Sequence, residues 1–200
     1  MTAVFSALRR DGRYVKLHAK DIAPYKVEFI KRDEGPPTAA QAKRVTTELI
    51  TNDKVQILAG FVFSPSAIAL APVINKAKVP MIIANAGTAW IPNLSPYYVR
   101  LSFSMWHPAY PMGSYAAKVI GCKTAAVAYT DFPPGKDSVE AFKTGFEKAG
   151  GKVVLSIPMG SPAQVPDFTP FMQRVKDAKP SCLYAFIPSG AHATGVMKAY

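Results

Sequence analysis

The stretch ANAGT (84–88) follows the apolar run MII (81–83), so a strand that reads as buried ends in a side-chain amide, open backbone and a hydroxyl. Other apolar runs end in the same way. GFVFSPS (60–66) follows VQILA, TDFPPGKD (130–137) follows TAAVAY, and PSGAHATG (188–195) follows CLYAFI. Ser64, Ser66, Thr88 and Ser189 bring hydroxyls to these ends, while Gly60, Ala86, Gly87 and Gly190 let backbone come close. Phe61, Phe63, Trp90 and Phe132 bring apolar walls. Hydroxyls and amides with rings beside them suit a polar head group on an apolar body. N-capping of a helix by Ser64 or Ser66 is the competing explanation for those two residues.

The same ends are poorly equipped for catalysis. Asp131 and Asp137 are their only acids, and no paired carboxylates are available for acid–base work. Ser64 lacks the G-x-S-x-G context of a hydrolase nucleophile. PPGKD (133–137) lacks the upstream glycine of a phosphate-binding loop and carries Asp in place of its Ser/Thr. His107 and His192 read as surface residues. Cys122 and Cys182 are too few and too far apart for a zinc site. We expect a binding protein with no enzymatic activity, no metal and no cofactor.

These ends must be held by a scaffold, and its elements alternate. KVEFI (26–30), VQILA (55–59), VPMIIA (79–84) and YYVRL (97–101) read as strands. TAAQAKRVTTELI (38–50) reads as a helix, with Thr38 and Gln41 at capping-box spacing and Ala42, Val45 and Leu49 on one face. SAIALAPVINKA (66–77) reads as an apolar helix containing Pro72. A second series follows: a helix over 110–121, a strand over 124–129 and an amphipathic helix over 137–149 closed by Gly150-Gly151. A strand over 152–157, a helix over 167–179 and a strand over 182–187 complete it. Apolar, non-alternating strands separated by helices indicate α/β architecture with parallel sheets covered on both faces. In such sheets, ligands sit beyond the carboxyl ends of the strands. The order of elements divides the chain into lobes 1–101 and 102–200.

Composition supports a folded binding protein. Hydrophobic residues make up 49% and charged residues 18%, which places the chain outside the disordered class. A net charge of +11 could favour an anionic ligand, since net charge steers association. The basic clusters RRDGR (9–13) and KRDEG (31–35) are short and broken by acids, so no basic stripe for nucleic acid is present.

The ordered set KVEFIKRDEG (26–35), GFVFSPSAIALAPVINKAKVPMIIANAGT (60–88), YYVRLSF (97–103) and DFTPFMQRVKDAKPSCLYAFIPSG (167–190) resembles the type I periplasmic solute-binding proteins of the Leu/Ile/Val-binding family. The resemblance implies two Rossmann-like lobes and a solute held in the cleft between them. It also implies a monomeric periplasmic receptor that delivers its solute to the membrane permease of an ABC importer. It places the ligand head group on Ser64, Ala86 and Thr88. From the strand ends themselves, Phe63 and Phe132 are expected to line the apolar end, with a further hydroxyl from Ser189. Family amino-acid binders often carry a tyrosine where Pro134 stands here. With Trp90 and Trp106 near the aromatic set, this favours an aromatic or bulky apolar carboxylate over leucine. Against the family the sequence lacks the first strand, stops after the third strand of the second lobe, and shows no signal peptide, so it reads as truncated at both ends. The same fold in a signalling receptor or transcription regulator is the alternative function. Cys122 and Cys182 read as two separate buried thiols. If both lobes have strand order 2-1-3, however, the two cysteines start neighbouring strands and a disulfide comes within reach.

Overall fold

The computed structural model describes residues 2–3, 15–35, 39–161 and 167–200. The chain forms two compact units, Met1–Phe103 and Ser104–Tyr200.

In the first unit, strands β3 (Leu58–Gly60), β4 (Met81–Ile83) and β5 (Tyr98–Arg100) form a parallel sheet in that order. Gly60 is in register with Ile83, and Ile83 with Arg100. The loops leaving β3 and β4 therefore start from one level at the carboxyl edge. Strand β1 (Thr2–Ala3) pairs in parallel with β2 (Glu28–Phe29). It is only two residues long.

Helix α1 (Ala39–Thr51) buries Ala42, Val45 and Leu49, the face its periodicity predicts. Thr38, the expected capping residue, lies outside the described residues. Gln41, its expected partner, donates from Nε2 to the Asp33 carbonyl at 3.2 Å. Helix α2 (Ser64–Ala77) starts two residues earlier than expected because Pro65 suits a first turn. Its core-facing Leu70 and Ile74 pack with Leu49, Leu58, Met81, Ile83 and Ile91.

The second unit has the strand order β7-β6-β8, with β6 (Thr124–Tyr129) parallel to both β7 (Lys152–Pro158) and β8 (Cys182–Phe186). This is the 2-1-3 order that the sequence reading allowed. Strand β6 shows why its apolar run does not alternate. Ala125 and Val127 pack into a cluster with Phe142 and Phe146, whereas Ala126 and Ala128 pack into a separate cluster with Ile157, Met172 and Val175. Side chains alternate faces at period two, so a strand covered on both sides is apolar throughout.

Helices α3 (Trp106–Lys118) and α4 (Pro133–Lys148) begin four residues before their expected starts, and α5 (Thr169–Ala178) and α6 (Ala191–Ala199) follow. Gly113 lies directly against the Phe142 carbonyl and Gly145 against the Tyr110 carbonyl, so a methyl group at either would meet backbone. Gly150, at φ +92°, ends α4 in a conformation that glycine adopts freely. A Cβ on Gly151 would fall 2.5 Å from the Phe146 ring. Gly145→Ala is expected to destabilise the unit by about 1–3 kcal/mol through overpacking, measured as a lower urea midpoint.

Cys122 and Cys182 form a disulfide that ties the approach to β6 to the start of β8. The reading of two separate thiols is thus overturned: the central position of β6 makes these cysteines neighbours despite a separation of 60 residues. Closing a loop of that length is worth about 4 kcal/mol in the chain-entropy account. We expect the Cys122→Ser/Cys182→Ser double variant to lose stability on that scale in urea denaturation. An unchanged midpoint, in wild type with and without reductant, would show that the bridge does not constrain the unfolded chain.

Candidate functional site

The carboxyl edge of the first sheet carries three of the predicted residues close together in the fold. The Ser64 hydroxyl accepts the Thr88 backbone N–H at 3.2 Å, joining the loops that leave β3 and β4. Ala86 donates its N–H to the Phe61 carbonyl at 3.1 Å. Ser64, Ala86 and Thr88 are all buried, with Val62, Asn85 and Trp90 exposed beside them.

The capping explanation for the serines fails. The N-cap of α2 is Phe63, half-buried and extended, and no side chain caps the helix. Ser64 is the first helical residue and spends its hydroxyl on the neighbouring loop. Helix starts leave N–H groups without intrahelical partners. Pro65 has no N–H, so Ser64 and Ser66 supply the first donors of this helix. The hydroxyls of Ser66 and Thr88 are fully buried and make no hydrogen bond. A buried polar group left unpaired costs roughly 1–3 kcal/mol, so their persistence side by side with a helix start has the character of a binding site.

Two charged residues that the sequence reading passed over support this edge. Arg100 donates from one guanidinium nitrogen to the Thr88 carbonyl at 2.6 Å and from the other to the Ala89 carbonyl at 3.2 Å. Its register with Ile83 puts it directly under that loop. Glu34 is buried, and its Oε1 accepts the Val62 N–H at 2.6 Å. Burial pushes the Glu34 carboxyl above its ordinary value, against the pull of the Val62 and Phe63 amides. Spacing gives no signal for either residue, because each partner lies at least 11 residues away in the chain.

The second unit presents Phe132 and Ser189 at its own carboxyl edge. Phe132 is half-buried, with its ring 6.1 Å from that of Phe186, and Ser189 is exposed. The start of α4 offers an anion little. Pro133 and Pro134 lack N–H groups, and the Gly135 and Lys136 amides both donate to the Phe132 carbonyl. Trp106 is half-buried and donates its indole N–H to the buried Asp137 at 2.9 Å. His192, expected at the surface, is buried with its ring edge-on to Phe168 at 5.6 Å. His107 is exposed as expected, and its Nδ1 accepts the Ser104 N–H at 2.9 Å. A cavity of about 510 Å³ in this unit is lined by Met172, Val175, Lys179, Pro180, Leu183 and Tyr200, and by none of the predicted site residues. Among the described residues, no group of His, Cys, Asp and Glu could hold a metal ion, and no helix is long and apolar enough to cross a membrane.

Residues 14–200 match the periplasmic binding protein family. The chain belongs to that family. It is 40% identical over 187 residues to Leu/Ile/Val-binding protein homolog 6 of Brucella melitensis biotype 1, covering 94% of this chain and 47% of the relative. A solute-binding protein of an ABC transporter from R. palustris, solved with 4-hydroxybenzoate, is 38% identical with a TM-score of 0.87. That comparison covers 100% of this chain and 56% of the other. A further one from Rhodopseudomonas palustris BisB5, solved with 3,4-dihydroxybenzoic acid, is 37% identical with a TM-score of 0.83, covering 99% and 56%. The chain spans about half the length of the curated relatives it matches. The type I periplasmic binding protein fold expected from the sequence is the fold of these relatives, and they are binding proteins of transporters and not enzymes.

Two outcomes test this site without a ligand. Ser64→Ala removes the acceptor of the buried Thr88 N–H, and about 1–3 kcal/mol of stability should go with it in urea denaturation. For Glu34 the folded-state value lies above the ordinary 4.5. Its contribution to stability is therefore complete below that ordinary value and is lost as pH rises through the folded-state value. Glu34→Gln, which cannot ionise, should gain in stability relative to wild type between pH 4 and pH 7. A pH-independent difference between the two proteins would contradict the burial of an ionising carboxyl here.

Proposed function

We propose that this chain is the solute-binding part of a periplasmic receptor that captures a small aromatic carboxylate and delivers it, as a monomer, to the permease of an ABC importer. The observation that carries the reading is the pair of buried, unpaired hydroxyls on Ser66 and Thr88, set beside an uncapped helix start. A carboxylate is the ligand chemistry that such donors serve, because charge-assisted hydrogen bonds are roughly twice as strong as neutral ones.

In this reading Ser64 and Thr88 hold the head group and Ala86 shapes its seat. Phe63 gives apolar surface beside them. Phe132 and Ser189 are the second unit's candidates for contact with the same ligand. The aromatic character of the surrounding residues favours a benzoate-type acid over a branched-chain amino acid. Two relatives at 37–38% identity, solved with hydroxybenzoates, support that preference. Nothing in the arrangement requires a nucleophile or a base, since capture and release break no covalent bond.

Isothermal titration calorimetry with 4-hydroxybenzoate, benzoate, leucine and isoleucine tests the proposal. We expect binding of the aromatic acids, no measurable heat with the amino acids, and a loss of roughly 10- to 100-fold in affinity for Thr88→Val, the range expected for one hydrogen bond to a charged group. Tight leucine binding with none of the aromatic acids would reject the ligand class. Silence with every acid would reject the receptor reading.

A further inference from the structure

The turn that delivers the peptide chain from β3 into α2 is strained and heavily tethered. Phe61 has φ +65°, a left-handed conformation that a bulky aromatic residue rarely adopts. Such residues persist where their surroundings hold them, and they concentrate at functional sites. Hydrogen bonds from other loops hold this turn. The Phe61 carbonyl accepts the Ala86 N–H at 3.1 Å, and the Val62 N–H donates to Glu34 Oε1 at 2.6 Å. The Val62 carbonyl accepts from Asn85 Nδ2 at 3.0 Å. Both polar groups of the Val62 backbone are thus taken by side chains from other loops.

Glu34 is itself held in place. The Gly35 N–H donates to Asp33 Oδ1 at 2.9 Å, and Gln41 of α1 reaches back to the Asp33 carbonyl. Gly35, at φ +76°, turns the chain there. Below the turn, Glu34 and Arg32 line a small cavity with Val45, Thr46, Leu49 and Phe61. Arg32 itself pairs with Asp53 at 3.2 Å.

From this geometry we propose that Glu34 and Asn85 are positioning residues that hold the strained 61–63 turn, and that this turn sets the affinity of the adjoining Ser64–Thr88 cradle for its carboxylate. Neither residue needs to touch the ligand. Glu34 grips the turn from the β2 loop and Asn85 from the β4 loop, so the two loops that border the turn are locked to it through one residue, Val62. The Glu34 hydrogen bond is the shorter of the two, 2.6 Å against 3.0 Å, so Glu34 carries the larger share. The inference rests on the carboxylate reading of the cradle.

The test combines two measurements on the full chain with Glu34→Ala, Glu34→Gln and Asn85→Ala. The first is amide hydrogen exchange at Val62 and Phe63 without ligand. The second is calorimetric affinity for 4-hydroxybenzoate. Glu34→Ala should speed exchange at Val62 and weaken binding, each by about tenfold, the scale of one such hydrogen bond. Glu34→Gln retains an acceptor oxygen and should restore both toward wild type. Asn85→Ala should show the smaller loss. Unchanged Val62 exchange in Glu34→Ala, in a variant that remains folded, would overturn the proposal. So would faster exchange with unchanged affinity, or equal losses for the alanine and glutamine variants. If Glu34→Ala fails to fold, the contrast between Glu34→Gln and Asn85→Ala decides, and weaker binding in the former than in the latter would overturn it. Altered exchange in a wild-type background that binds no 4-hydroxybenzoate would sink the aromatic-acid reading and, with it, the claim on affinity, while the tether between Glu34 and Val62 would stand.

Discussion

The register of three short parallel strands is the constraint on which the first unit's site depends. Gly60, Ile83 and Arg100 lie on one level. Parallel strands in register release their following loops at the same height. The loop after β3 and the loop after β4 therefore meet, and Ser64 reaches Thr88 across 24 residues of chain. A slip of one residue at β4 would turn its side chains to the opposite face. Met81 and Ile83, now in the core, would then face the other way, and the hydroxyls would separate. The buried positions of Leu58, Met81 and Ile83 hold that register, so the hydrophobic core and the polar edge are two consequences of one alignment.

Local strain and unpaired polar groups sit where this alignment ends. Phe61 is left-handed, Ser66 and Thr88 keep buried hydroxyls without partners, and Glu34 keeps a buried carboxyl. Each lowers stability; Thr130 and His192 of the second unit also keep buried polar atoms unpaired, while other core groups are satisfied. The Tyr98 hydroxyl, for example, donates to the Ala67 carbonyl at 2.6 Å deep in the same unit. Two hydroxyls left unpaired at one edge of a unit that satisfies a phenol in its core make that edge the less saturated part of the first unit.

The sequence carried the architecture well because burial leaves a local pattern. TAAVAY is apolar at every position but its ends, since both faces of β6 are covered, and Val139, Phe142 and Phe146 repeat at helical period because one face of α4 is covered. Pair relations across the fold leave no such trace. KRDEG reads as a solvated charged loop, yet Glu34 is buried against a turn 28 residues away. YYVRL reads as a strand end, yet Arg100 holds two carbonyls of the neighbouring loop. The disulfide depended on strand order, which composition does not encode. His192 read as a surface residue, whereas the helix starting at Ala191 turns its ring inward onto Phe168. Ser64 and Thr88 were legible because small polar residues stand directly after apolar runs there.

The two carboxyl edges are chemically unequal. In the first unit the helix start is uncapped, hydroxyls are unpaired, and a guanidinium lies beneath the loop. In the second, two prolines open α4 and its next two amides fold back onto Phe132, so the positive end of that helix has no N–H to extend to an anion. What the second edge retains is ring surface at Phe132 and Phe186, the exposed hydroxyl of Ser189 and the buried, unpaired hydroxyl of Thr130. Within the first unit the open amides and hydroxyls gather at a helix start, and within the second the helix start is closed by its own sequence, so the difference between the edges follows from Ser64-Pro65-Ser66 in one and Pro133-Pro134 in the other.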